Sequence, residues 1–324
     1  MSSRAKILVK VVLTLALLVF LLFRMDLAEF GKVLVSANLV LVLIAGLFYF
    51  GTVFLSVGRW KAILENFDIH TPLVPLSKIT LIGYFFNLFL PSAIGGDFVR
   101  AYYLAKRESR GMSTTVTTTL LDRTAGLSAL LLIGLISVSI YPISIQGFSL
   151  TGLFLLVATG FVLGITAIFH SGAHRRFNAL LKRLHLDRFE EKLELVYQGL
   201  AQLRRNRFAI LLVILLSLGV QLLVVIAMWF AALSIGISVS FNLFLIFIPI
   251  VNLATAIPLT INGVGVRESV YYLLFSQVGV PVESAVTLSL LNLVIMMIAA
   301  LPGGIVYSLY KKEQKFSLEV DSEN

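Results

Sequence analysis

The amino-acid sequence predicts an all-α polytopic membrane protein, and three observations support that prediction. Hydrophobic residues make up 58% of the 324 residues, charged residues only 13%, and the mean hydropathy is +0.96. Apolar runs near the ~20 residues that span a hydrocarbon core recur along the chain. The period-2 alternation of an outer-membrane barrel is absent, so the spans are predicted to be helices, which satisfy their own backbone hydrogen bonds in lipid.

Seven apolar runs define the elements in chain order. They cover residues 7–23, 39–57, 112–140, 149–169, 208–232, 241–257 and 283–309. The first run has no small-residue cleavage site at its end, so it is predicted to be an uncleaved helix and not a signal peptide. Counting the sides on which the loops fall leaves about six full spans and two further segments, 79–111 and 241–280, that do not cross.

The basic residues indicate which side of the membrane each loop occupies. About 22 of the 26 Lys and Arg residues fall in the N-terminus, 58–78, 98–111, 170–207 and the C-terminal end. This side is predicted to be the cytoplasm, with both termini in it. The net charge of +9 is then explained by topology, and no nucleic-acid partner is expected. Trp60, beside Lys61, is predicted to be an interfacial anchor.

Residues 170–207 form the only sizeable polar segment of the sequence. Apolar residues recur there at helical spacing among many basic ones, which predicts a basic amphipathic helical segment in the cytoplasm. Lying on anionic lipid and packing as a linker remain equally open. The absence of cysteine and the spacing of the four histidines predict no metal site, and no cofactor is expected.

The segment 79–111 must begin and end in the cytoplasm. An apolar arm over Ile79–Leu90 meets a run of helix breakers, Pro91–Asp97, and a charged arm returns over Phe98–Arg107. The segment 241–280 must begin and end outside, and its breakers span Pro258–Glu268. We therefore predict two re-entrant helical hairpins that enter from opposite faces, an arrangement that favours an inverted repeat.

Both hairpin tips combine glycines with an arginine and an acid. Free backbone N–H groups at such a half-helix start can bind phosphate, which makes the tips candidate substrate-binding sites. The alternative is that the glycines only allow short helices to turn inside the protein. The candidate residues are Gly95, Gly96, Asp97 and Arg100 in the first tip and Gly263, Gly265, Arg267 and Glu268 in the second.

Asp122 and Arg123 add a third candidate site within an apolar helix. Adjacent side chains project about 100° apart on a helix, so each is expected to pair with another element. Pairing of Arg123 with Asp97, or of Asp122 with Arg100, would satisfy this condition. A structural salt-bridge network and direct substrate contact are equally open interpretations.

Three motifs in order resemble those of the lysylphosphatidylglycerol synthase transmembrane-region family, a flippase-like domain. They are P-S-x-x-G-G-D-x-x-R-A-Y from Pro91, L-D-R-x-x-G-L from Leu121, and P-x-x-x-x-G-x-G-x-R-E from Pro258. The resemblance covers about residues 5–312, which predicts one membrane domain over 1–312 and a polar tail over 313–324. It implies a multi-pass protein of the cytoplasmic membrane that binds or translocates a lipid. In the best-known members a soluble aminoacyltransferase domain follows, and no such domain is expected here.

Three functions remain open at this point. The first is translocation of an anionic or polyprenyl-phosphate-linked lipid, with arginines at the tips as phosphate partners and acids that orient them. The second is a headgroup transferase that uses Asp97 or Glu268 as a general base. The third is a scaffold for a separately encoded glycosyltransferase or synthase that docks on 170–207. The arginines assigned to phosphate are Arg100, Arg123 and Arg267.

Overall fold

The computed structural model describes residues 12, 14–21, 23–89, 95–142, 144–145, 148–169, 199, 201–203, 206–257, 260 and 263–322. Within these ranges the chain is helical apart from one short ladder, which confirms the all-α polytopic prediction. The helices are α1 Leu27–Val35, α2 Leu39–Glu65, α3 Leu73–Phe89, α4 Gly95–Glu108, α5 Met112–Ile140, α6 Leu150–Phe169, α7 Arg207–Ser234, α8 Phe241–Ala256, α9 Val266–Ser276 and α10 Val282–Ser322. The antiparallel strands are β1 Ser144–Ile145 and β2 Phe148–Ser149, with Ser144 opposite Ser149.

Four helices in the described part of the chain are long and apolar enough to cross a membrane. They are Leu39–Glu65, Met112–Ile140, Arg207–Ser234 and Val282–Leu309. The 20-residue helix α6 covers the predicted run 149–169. The first predicted span, 7–23, is described only at 12, 14–21 and 23, where 14–21 are helical. The predicted amphipathic segment 170–207 lies outside the described residues except at 199, 201–203 and 206–207.

Polar side chains set the starts of several helices. Asp26 caps α1 by accepting from the backbone N–H of Ala28 at 2.8 Å, and Asn38 caps α2 by accepting from Val40 at 3.0 Å. Such caps satisfy amide groups that have no partner inside the helix. The starts of α1 and α2 therefore each follow a short polar side chain in the sequence.

Two hydrogen bonds define one end of the bundle. Asn38 N donates to Ser234 O at 2.7 Å, which brings the start of α2 beside the end of α7. Asp26 N donates to Glu283 Oε1 at 3.0 Å, which brings the start of α10 to the same end. The α8–α9 pair follows α7 and precedes α10, so it begins and finishes at this end of the bundle.

The α3–α4 pair begins and finishes at the opposite end, where α2 terminates. Arg110 Nη2 donates to Asp68 O at 2.6 Å, and Thr71 Oγ1 donates to Glu108 Oε1 at 3.0 Å. These bonds return the end of α4 to the loop that precedes α3. The prediction of two re-entrant hairpins entering from opposite ends is confirmed; we call α3–α4 the first hairpin and α8–α9 the second.

The arms of the first hairpin are longer than the sequence suggested. The apolar arm was predicted over Ile79–Leu90, but α3 begins at Leu73 and has 17 residues, a rise of about 25 Å. Pro75 lies in its first turn, where a missing N–H costs nothing. The breakers at 90–94, 258–259 and 261–262 lie outside the described residues.

Two buried clusters hold the hairpins in the bundle. The larger packs the second hairpin against α7 and α10, with Phe244, Phe247 and Phe275 fully buried. The second packs the end of α2 against both arms of the first hairpin, and its members include Trp60, Leu64, Leu76, Ile79 and Leu104. Each hairpin therefore packs one face against the bundle, while residues such as Tyr102 and Leu273 remain exposed on the other face.

Candidate functional site

The two arms of the first hairpin cross at a pair of glycines. Gly96 packs directly on the backbone oxygen of Gly83, and Gly96 N donates to Asn87 Oδ1 at 2.8 Å. A side chain at either glycine would collide with the facing arm. This close approach occurs at the start of α4. Asp97 in the first turn of α4 and Arg100 in its second turn face the neighbouring span α5.

Asp97 accepts from two arginines, one on each carboxylate oxygen. Arg100 Nη2 lies 3.0 Å from Oδ1, and Arg123 Nη1 lies 2.7 Å from Oδ2. The predicted pair of Arg123 and Asp97 is therefore formed. Since both oxygens are engaged, Asp97 holds Arg100 and Arg123 on one side of the half-helix.

Asp122 is the second carboxylate of this network. Arg59 Nε donates to its Oδ1 at 2.6 Å, and Arg100 Nη2 donates to its Oδ2 at 3.1 Å. The predicted pair of Asp122 and Arg100 is thus formed as well. These three side chains are at most 8% exposed, whereas the side chain of Arg123 is 29% exposed. Arg123 is the member of the network that a ligand reaches most easily.

The sequence does not predict Arg59 as a site residue, because the apolar run ends at residue 57. The helix continues to Glu65, and its last turns remain packed in protein, with Trp60 fully buried. The prediction that Trp60 is an interfacial anchor is wrong. Its Nε1 donates to Thr118 Oγ1 at 3.2 Å, and the Arg100 guanidinium lies 4.7 Å from its ring centroid. A signal was available in the helical spacing of Ser56, Arg59 and Trp60.

The network lines a cavity of about 370 Å³, which we call the ion cavity. Its wall includes Asn87 of α3, Gln221 of α7 and the α8 residues Asn252 and Thr255. Among the described residues that line it, three arginines face two aspartates, an excess of one positive charge. The charged members are Arg59, Asp97, Arg100, Asp122 and Arg123. Within the described ranges, no group of three or more His, Asp or Glu side chains is placed to hold a metal ion.

The second hairpin contains its own buried acid and base. Glu268 Oε2 accepts from Gly265 N at 2.6 Å, which caps the start of α9. Its Oε1 accepts from Ser289 Oγ at 3.1 Å and from Arg267 Nη2 at 3.3 Å. Gly263 and Gly265 have φ values of +73° and +86°, a conformation in which glycine is favoured.

The structure does not bring all predicted site residues to one cavity. Gly263 approaches Thr255, which lines the ion cavity, but the described lining contains none of the predicted residues Gly95, Gly96, Gly263, Gly265, Arg267 and Glu268. A cavity of about 280 Å³, the middle cavity, shares Tyr84, Asn87 and Val220 with the ion cavity and is also lined by Met296. Helix α10 relates the second tip to the middle cavity. Its Ser289 donates to Glu268, and its Met296, in the wall of the middle cavity, lies seven residues or about 10 Å further along the helix.

A bundle of apolar helices with two opposed hairpins and a charged internal cavity defines a polytopic membrane protein built around a buried polar site. The chain belongs to the lysylphosphatidylglycerol synthase transmembrane region family, which matches residues 7–304. It is therefore a multi-pass integral membrane protein of a family named for a lipid synthase.

Two relatives are archaeal proteins of similar length. The chain is 24% identical over 321 residues to a UPF0104 membrane protein of Pyrococcus horikoshii, with 91% of this chain and 95% of the relative covered. It is 23% identical over 296 residues to a UPF0104 membrane protein of Methanocaldococcus jannaschii, with 87% and 88% covered. No solved structure matches the chain.

Proposed function

We propose that the protein binds the anionic headgroup of a membrane lipid in the ion cavity and moves that lipid between leaflets. The observation that carries the proposal is the excess of arginine over aspartate at the cavity wall, inside a bundle of apolar helices. A single phosphodiester would neutralise this excess. The family, named for the membrane region of a lipid synthase, supports a lipid as the ligand.

Arg123 is the arginine assigned to direct contact with the phosphate. Its side chain is more exposed than those of Arg59 and Arg100, and a planar guanidinium can bind two phosphate oxygens together. Arg59 and Arg100 each donate to Asp122, so they contribute mainly positive potential behind the contact site. Gly95 and Gly96 begin α4, and the α4 residues that line the same cavity are Asp97 and Arg100.

Arg267 and Glu268 form a second charged position, closer to the opposite end of the bundle. The middle cavity lies between this pair and the ion cavity along α10. Movement of one hairpin against the other would expose the two positions alternately, as broken helices do in transporters. In this proposal Gly263 and Gly265 allow the second tip to change its backbone conformation.

Both candidate bases have their carboxylate oxygens engaged. Asp97 accepts from two arginines, and Glu268 accepts from a backbone amide, a serine and an arginine. A general base must reach the proton that it removes, so each would first have to release a partner. The arrangement therefore favours orientation of arginine over proton abstraction.

The proposed ligand class is a phospholipid with net negative charge or a polyprenyl-phosphate-linked lipid, in the cytoplasmic membrane. A separately encoded glycosyltransferase or synthase that supplies or uses the lipid would be a partner. The charge of the cavity and the family support the lipid class of this proposal.

The experiment is reconstitution in liposomes that contain fluorescent phosphatidylglycerol or fluorescent phosphatidylcholine, read by quenching of the outer leaflet. We expect faster exchange of phosphatidylglycerol than of phosphatidylcholine, and slower exchange for Arg100→Ala and Arg267→Ala. Equal rates for wild type and both variants would contradict the role of these arginines, and wild-type exchange no faster than in protein-free liposomes would contradict translocation. Recovery of a chemically altered lipid by mass spectrometry would instead support the transferase.

A further inference from the structure

An apolar cavity of about 420 Å³ lies beside the ion cavity. It lies between three helices and is lined by Leu127 of α5, by Leu153, Phe154 and Val157 of α6, and by Ala254 and Ala256 of α8. Its described lining is hydrophobic throughout. A space of this composition suits a hydrocarbon chain and offers nothing to a phosphate or a cation.

The two cavities adjoin at two residues. Leu127 and Ala256 line both the apolar cavity and the ion cavity. Helix α8 divides the two spaces by its faces, because Asn252 and Thr255 line the charged side while Leu253 lines the apolar side. Helix α5 borders both spaces with one face, since Leu127 lies one helical turn after Arg123 and lines both cavities. A polar and an apolar compartment thus share one boundary.

The apolar cavity also reaches the outer face of the bundle. Leu153 is 45% exposed and Ile257 is 55% exposed, and both line the cavity. In a protein that crosses a membrane, exposed leucine and isoleucine on a span face hydrocarbon. A chain that enters between these two residues would remain in apolar surroundings along its whole path.

We infer that the apolar cavity holds one hydrocarbon chain of the lipid whose headgroup occupies the ion cavity. This inference rests on the proposed function and deepens it, because it defines the ligand as an amphiphile bound at both ends. It also places the lateral passage for the lipid between α6 and α8. A soluble phosphate compound would fill only the charged half of the site.

The test uses phosphatidylglycerol that carries a photoactivatable diazirine in one acyl chain, added to wild-type protein in liposomes. We expect photolabel at the cavity residues of α6 and α8, located by mass spectrometry of the peptides. Phosphatidylcholine with the same chain should label them much less. Equal labelling by both lipids, or labelling confined to residues outside the cavity, would overturn the inference.

Transport provides the second readout, with a matched pair on α6. Val157→Trp fills the cavity and should lower phosphatidylglycerol exchange by about tenfold or more, because the lipid chain loses its binding site. Leu156→Trp adds the same side chain at a neighbour that is 72% exposed and should leave the rate unchanged. Wild-type exchange in Val157→Trp would also overturn the inference.

The two proposals fail separately. If wild-type protein exchanges no anionic lipid, translocation fails, while the labelling pattern still reports whether a lipid chain occupies the cavity. If wild type exchanges the lipid but neither the label nor Val157→Trp responds as expected, only the chain site fails. Should Val157→Trp not fold, the wild-type labelling decides alone.

Discussion

Asp122 on the full span α5 accepts a hydrogen bond from Arg100 on the half-helix α4, with 3.1 Å between Oδ2 and Nη2. Both side chains are almost completely buried. This bond ties the first hairpin to a helix that crosses the membrane. The same residues line the ion cavity, so the structural network and the proposed binding site cannot be separated by a simple loss of activity.

Removal of the Asp122 carboxylate should destabilise the fold. Asp122→Ala leaves Arg59 without its carboxylate partner and Arg100 with only Asp97, and breaking a buried pair in this way costs about 3–5 kcal/mol. Thermal unfolding in detergent, followed by circular dichroism, measures the change. Glu29→Ala, which removes an exposed ion pair with Lys32, is the control and should change little. Equal stability of the two variants would contradict the structural role.

The glycine contact in the first hairpin should be intolerant of added volume. A methyl group at Gly83 would meet the aliphatic part of Arg100, with Cδ at 2.8 Å, so Gly83→Ala should cost about 1–3 kcal/mol. Gly46 has nothing within 4 Å of the same position, and Gly46→Ala should stabilise α2 by about 0.5–1 kcal/mol. Unfolding of both variants tests this contrast. A Gly83→Ala protein as stable as wild type would rule out the close crossing.

Glu268 should matter more to stability than an exposed glutamate does. Glu268→Gln removes the charge that Arg267 faces in a buried site, so we expect a loss of about 3 kcal/mol or more. Glu283→Gln provides the comparison, because Glu283 accepts from Asp26 N at an exposed position. The readout is again the unfolding midpoint in detergent. A shift in Glu283→Gln as large as that in Glu268→Gln would contradict the account of the second tip.

The absence of natural cysteine makes the predicted topology simple to test. Lys32→Cys and Ser149→Cys should react with a membrane-impermeant maleimide added outside intact cells. Ser113→Cys, at the other end of the bundle, should react only after the membrane is permeabilised. All three positions are exposed. Labelling of Ser113→Cys in intact cells would reverse or break the assignment of sides.

Much of the fold follows from two quantities visible in the sequence, the length of apolar runs and the side on which basic residues fall. These predicted the hairpins, because a segment of 79–111 that starts and ends among basic residues cannot cross. The last residue of α2 and the first residue of α3 are not predictable in this way. Basic residues such as Arg59 and Lys78 mark the limit of an apolar run in the sequence, but both lie inside these helices, where a neighbouring helix or the bundle surface accommodates them.

The pairing of charges was partly predictable. Adjacent residues on a helix point in different directions, so Asp122 and Arg123 had to find partners elsewhere, and both expected pairs are present. The partner Arg59 depends on how α2 packs against α5, which no local pattern encodes. The position of Arg267 outside the described lining of the ion cavity is not predictable either, because it depends on how α9 packs in the bundle.

The central claim is that the ion cavity binds an anionic headgroup through Arg123, and its most direct test is the exchange rate of fluorescent phosphatidylglycerol in liposomes. Arg123→Gln removes the accessible positive charge of the cavity, while Arg107→Gln removes an arginine of α4 that does not line it. We expect Arg123→Gln to exchange the lipid about tenfold more slowly than wild type, as loss of a charge-assisted contact would produce. Arg107→Gln should match wild type. Unchanged exchange by a folded Arg123→Gln protein would contradict the claim.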